Sequence, residues 1–159
     1  MGFVSCKNPF SPAVDFDSGE ESAVLADMRD VAGVFQNLQT AYTTKDTLLY
    51  GKLLGADFLF TYRDFDLGYD VTWGRAEEMR VTSSLFQNAE RLSLLFNNIL
   101  LSSEDTLTHT AQYARAFNLV IIFNPSDVVR VDGRVNMQLS RLSANDEWKI
   151  SRWIDESNF

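Results

Sequence analysis

The strongest constraint on the fold is an eleven-residue run near the C-terminus. Val129, Val131, Gly133, Val135, Met137 and Leu139 alternate with Arg130, Asp132, Arg134, Asn136 and Gln138. Successive side chains on a strand point to opposite faces, so this is the pattern of one strand with a buried face and a wet face. Asp132-Gly133 in its middle is a common two-residue hairpin signal. A turn there would break the alternation, so one continuous strand is expected, with Gly133 as a bulge or bend. Such a strand needs neighbours for its backbone and an apolar layer over its inner face, which excludes an all-helical fold.

Helices precede the strands. Ser18-Gly19-Glu20-Glu21 reads as a capping box, and Val24, Met28, Val31, Phe35, Leu38 and Tyr42 follow at steps of three and four. That spacing predicts a long amphipathic helix over roughly 19–44. Asp46 is expected to cap a second helix carrying Leu48, Leu49, Leu53 and Leu54, and Gly55 to end it. Residues 58–63 are aromatic and β-prone and predict a strand; 64–72, with three Asp and one Gly, read as a loop. Trp73, Ala76, Met79, Ser83 and Phe86 predict a third helix over 73–87. From residue 90 the period becomes two: Leu92, Leu94, Phe96, Asn98 and Leu100 alternate. A turn is expected at 102–105, a strand at 107–124, a hairpin at 144–146, and a last strand with Trp148, Ile150, Trp153 and Ile154. Helices first and strands afterwards make an α+β protein.

The 159 residues are expected to divide into a flexible tether, 1–17, and one domain, 18–159. The tether holds Pro9, Pro12 and the acidic Asp15-Phe16-Asp17-Ser18. Fourteen basic against twenty-two acidic residues give net −8, which argues against nucleic acid as a partner. One Cys and one His exclude an internal disulfide and a Cys/His zinc site. Phe3-Val4-Ser5-Cys6 resembles a bacterial lipoprotein cleavage site, which implies lipidation of Cys6, attachment to a membrane, and a place in the cell envelope if a leader precedes it; otherwise a cytoplasmic protein is expected. Asp64, Asp66, Gly68 and Asp70 do not keep the spacing of a calcium loop, so a turn is expected there and no metal.

Three architectural motifs carry a resemblance. They are Ala41-Tyr42-Thr43-Thr44-Lys45-Asp46, then Leu54-Gly55-Ala56-Asp57-Phe58, and Glu147-Trp148-Lys149-Ile150 with Trp153. Over about 20–157 the chain resembles the nuclear transport factor 2-like superfamily, with its SnoaL-like and ketosteroid isomerase-like branches. The resemblance implies a cystatin-like cone: three N-terminal helices in the concavity of a strongly curved, mainly antiparallel sheet, with an apolar pocket at the mouth. It places Phe35, Leu38, Tyr42, Tyr62, Trp73, Phe86, Phe96, Phe117 and Trp153 around that pocket. Asn98, Arg115 and Gln138 are the implied polar anchors.

The isomerase branch works with a carboxylate on the first strand and a Tyr on the first helix; those positions fall on Tyr62 and Leu38 here. Asp64 is the nearest substitute base and Tyr42 the nearest substitute donor. The dehydratase branch uses paired histidines, and this chain has only His109, expected on an exposed strand. The expected function is therefore a non-catalytic module without a cofactor, binding a small apolar ligand or a protein partner. The alternatives are a SnoaL-like isomerase or cyclase with an unrecognised base such as Asp64 or Asp155, and a structural envelope protein with a filled cone. Strands apolar on both faces imply a homodimer.

Overall fold

The computed structural model describes residues 25–158. The tether, Cys6 and the Ser18–Glu21 box lie outside the described residues. The described part contains α1 (Val31–Thr44), α2 (Thr47–Leu53), β1 (Leu54–Asp64), β2 (Tyr69–Gly74), α3 (Arg75–Asn88), β3 (Arg91–Asp105), β4 (Thr110–Asn124), β5 (Asp127–Ser140) and β6 (Lys149–Asn158). The strands form one curved sheet in the order β2-β1-β6-β5-β4-β3, and the three helices pack against it. Every pairing is antiparallel except β1 with β6. Val34, Leu38, Tyr50, Leu53, Val135, Leu139 and Ile150 are fully buried between the helices and the sheet.

The first helix begins at Val31, and residues 25–30 are not helical. The apolar spacing continues upstream, but the backbone there is held by a side chain. The buried amide of Asn37 accepts from Ala26 N–H at 2.9 Å and donates to Ala26 C=O at 2.9 Å. Gly33 leaves room for the Asp27 carbonyl, where a Cβ would collide. At the other end Lys45 takes a left-handed conformation, φ 56°, and closes α1. Its Nζ donates to Ala89 O at 2.8 Å, tying the α1–α2 corner to the end of α3. Asp46 caps α2 by accepting from Leu49 N–H at 3.0 Å. Gly55 does not end that helix: Leu54 is its extended C-cap, already paired with Ile150, and Gly55 lies in β1.

The expected loop 64–72 is only a four-residue turn. Asp64 accepts from Leu67 N–H at 2.9 Å, Gly68 supplies a φ of 81°, and the chain returns as β2. Trp73 therefore sits on β2, opposite Phe60, rather than on the third helix. The β3–β4 turn lies at 106–109, later than expected. His109 belongs to it, with φ 55°, and not to a strand.

β5 is one continuous strand through Asp132-Gly133. Its register with β4 runs unshifted from Val128 to Ser140, so Gly133 is not a bulge. The glycine is needed for another reason: a Cβ there would sit on the Ser157 backbone of β6.

Candidate functional site

The alternation that builds the sheet also selects the side chains that face the helices. Register sets Tyr62 of β1 beside Asp155 of β6, and Phe60 beside Trp153. Asp155 in turn lies opposite Val135 of β5, and Trp73 of β2 lies opposite Phe60. Phe60 and Trp73 stack at 5.1 Å between centroids, 14° from parallel, and Trp153 leans on Phe60 at 5.9 Å. These rings form one wall of a cavity of about 430 Å3. Leu94, Phe96, Phe117, Leu119, Ile121, Val131 and Val135 continue the sheet wall. Tyr42 of α1 and Glu78, Val81, Thr82 and Leu85 of α3 close it from the helix side. A volume of a few hundred cubic ångströms with mostly apolar walls and few polar groups is the usual form of a small-molecule site.

Two carboxylates face this space. Glu78 is buried, and its oxygens accept from Tyr50 Oη at 2.6 Å, Trp73 Nε1 at 2.6 Å and Thr82 Oγ1 at 3.0 Å. Three of the roughly four acceptor sites of a carboxylate are thus filled, which makes Glu78 a fixed post between α2, β2 and α3. Asp155 is half-buried, and its Oδ1 accepts from Ser157 N–H at 2.9 Å. Burial pushes the Asp155 carboxyl above its ordinary range, and the charges of Glu156 and Glu78 add to this against the hydrogen bonds from Ser157. Burial, reinforced by Glu78, raises the Tyr42 hydroxyl above the usual tyrosine range, so Tyr42 is a neutral donor at any ordinary pH. The site thus offers one carboxylate held by three donors, a second carboxylate with a raised pKa, and two phenols, Tyr42 and Tyr62, within apolar walls.

Of the twelve pocket candidates, Tyr42, Tyr62, Trp73, Phe96, Phe117 and Trp153 line the cavity. The other six do not. Leu38 is wholly in the core, and Phe35 lies behind the wall, edge-on to Phe96 at 4.9 Å. Phe86 packs edge-on to Tyr42 at 5.2 Å, one layer back. Asn98 is exposed because the β3 register shifts between Phe96 and Ile99, which ends the alternation that had placed it inward. Arg115 stacks over Phe35 at 4.9 Å and donates to Asn97 O, so it serves α1 and β3. Gln138 sits on the polar face of β5. Asp64 closes the β1–β2 turn and is not on the cavity wall.

Glu78 is the residue that the sequence reading missed. The apolar stripe Ala76, Met79, Ser83 and Phe86 had marked the neighbouring face of the third helix. The cavity face, Glu78, Val81, Thr82 and Leu85, keeps the same spacing of three and four but is half polar. Among the described residues no group of three or more His, Cys, Asp or Glu could hold a metal ion. No described helix is long and apolar enough to cross a membrane.

No protein-family model and no curated protein matches the chain. Solved structures match the fold over most of its length. A scytalone dehydratase-like protein of Novosphingobium aromaticivorans superposes with TM-score 0.69 at 13% identity, over 83% of this chain and 84% of that one. A dehydratase-like protein of the NTF2-like family from Streptomyces avermitilis gives 0.60 at 16%, over 80% and 92%. An uncharacterised protein with a cystatin-like fold from Caulobacter vibrioides gives 0.61 at 11%, over 81% and 87%.

Proposed function

This chain has the cone fold of the nuclear transport factor 2-like superfamily, and we propose that it uses the cone to bind a small, mainly apolar molecule. One observation carries the reading: the side chains of the described residues leave in the cone a cavity of about 430 Å3 walled by seven aromatic rings. Closing that space would have removed apolar surface from water at about 25 cal/mol per Å2, so leaving it open has a stability cost that a ligand offsets. The test is a titration with N-phenyl-1-naphthylamine, a neutral dye that brightens in apolar sites. Saturable enhancement that is lost in Leu119→Trp, which fills the cavity, supports the reading. Absence of enhancement, or enhancement unchanged in that variant, overturns it.

A second reading, proton transfer on the bound molecule, is favoured by Asp155. A carboxyl with a raised pKa on an apolar wall is what abstraction of a proton next to a carbonyl requires, and Tyr42 supplies a neutral donor. Of the two bases that the sequence offered, Asp64 and Asp155, this reading keeps Asp155, which lines the cavity, and drops Asp64, which does not. Isomerisation of a β,γ-unsaturated ketone is the assay. Turnover above buffer that Asp155→Asn abolishes and Asp64→Asn leaves intact supports it; no turnover, or equal loss in both variants, refutes it.

A further inference from the structure

The cavity has a charge asymmetry as well as an apolar character. Among the described residues its walls carry two carboxylates, Glu78 and Asp155, and no Lys, Arg or His. The guanidinium of Arg115 lies 5.7 Å from the Phe96 ring but is not on the cavity wall, and it donates to Asn97 O. Seven aromatic rings surround the two acids, and the face of each ring carries partial negative charge. We infer that the cavity selects an organic cation, an amine or a quaternary ammonium group carried on an apolar body. The inference rests on the reading that the cavity is a ligand site and specifies the ligand's charge.

The argument is one of compensation. A neutral apolar ligand gains contact with the apolar walls but strips water from Asp155 without replacing it. Burying an unpaired carboxylate is unfavourable, so such a ligand binds more weakly than a cation of the same shape. An anion would add a third negative charge. A cation meets the Asp155 carboxylate and lies against ring faces such as those of Trp153, Trp73 and Tyr62, which attract cations most strongly when water is excluded. The two carboxylates already feel each other, since the charge of Glu78 contributes to the raised pKa of Asp155; a positive group between them relieves that repulsion. The net charge of −8 also draws cations toward the protein from solution.

Three probes built on one benzene ring decide the matter: phenyltrimethylammonium, its uncharged isostere tert-butylbenzene, and the smaller, planar anion benzoate. Each is titrated into the full chain while the three tryptophan indole N–H signals are followed by two-dimensional NMR. Trp73 and Trp153 line the cavity; Trp148 is buried elsewhere, under Arg141, and serves as the control. The expected result is that phenyltrimethylammonium shifts Trp73 and Trp153 but not Trp148. Its half-saturation should lie about tenfold below that of tert-butylbenzene, with benzoate weaker than both. Asp155→Asn should bring the cation and its isostere to within about twofold, and Glu78→Gln should act in the same direction. If Glu78→Gln unfolds, Asp155→Asn alone carries the comparison, because Asp155 holds no other element in place through its side chain. Equal or tighter binding of tert-butylbenzene overturns the inference while the ligand site stands. A cation preference that survives Asp155→Asn also overturns it, and no shift with any probe overturns both readings.

Discussion

Asp155 couples the cavity to the stability of the whole domain. Its carboxyl pKa is raised in the folded protein, mainly by burial, above the unfolded value of about 3.9. Below about pH 3.9 it is protonated in both states and imposes no cost. As pH rises through the folded value, the native state must give up a proton it holds more tightly than the unfolded chain does, and stability is lost. Asp155→Asn removes that loss. The variant should resist urea better than the wild type at pH 7, and the two should converge toward pH 3; a variant that is weaker at pH 7 would refute the assignment. Asn37 is the opposite kind of buried polar residue. Its amide bonds both the N–H and the C=O of Ala26, so Asn37→Ala leaves that backbone N–H and C=O without their side-chain partner. A loss of about 1–3 kcal/mol in urea unfolding is expected, with residues 25–30 losing amide-exchange protection first.

Among the elements, β5 shows why a glycine can look like a turn and act as a spacer. The backbone at Gly133 is close to Ser157 across the β5–β6 ladder, and backbone cannot yield as a flexible side-chain tip can. Gly133→Ala should cost about 1–3 kcal/mol, as overpacking does. Gly68→Ala has open space around the new Cβ and strains only its φ of 81°, so about 1–2 kcal/mol is expected there. Chemical denaturation of the pair separates the two mechanisms: the Gly133 loss should shrink in a Ser157→Gly background only if the clash lies with that side chain, and it should persist if the backbone is the obstacle. The strand itself was legible in the sequence because one residue in two reports its environment over eleven positions. The start of α1 was not, because Val24, Met28 and Val31 keep helical spacing across a boundary set by a side chain eleven residues away. Asn98 was misplaced for a related reason, since a register shift in a strand leaves no mark in its period. The cavity face of α3 was passed over because a working face mixes Glu and Thr with Val and Leu, and so looks less like a core than its neighbour does.

At the scale of the molecule, the described sheet ends in a long edge strand with an uncharged middle. Among the described residues β3 is the outermost strand on one side, and along it Phe96 N–H donates to Gln39 Oε1 of α1 at 2.8 Å. Proteins usually blunt such edges with charges, proline or a short strand. From Leu92 to Ser103 this edge has neither a charge nor a proline, and β3 is fifteen residues long. Leu95, Ile99, Leu100 and Leu101 stand about half exposed along it. Isolated exposed apolar residues are ordinary, but four on one seven-residue stretch of an edge strand make an apolar patch of the kind that marks interfaces. A second copy of the chain is the proposed occupant, because it brings the same apolar patch and covers both at once with two-fold symmetry. Sedimentation equilibrium should then show a species of twice the 18.0 kDa chain mass at micromolar concentration. The double variant Leu95→Lys with Ile99→Lys puts charge on the edge without touching the cavity and should sediment as a monomer with its tryptophan spectrum unchanged. A wild-type chain that stays at 18.0 kDa to high micromolar concentration would remove the dimer. It would also leave this edge as an aggregation hazard rather than an interface, and the wild type should then precipitate sooner than the double variant on warming.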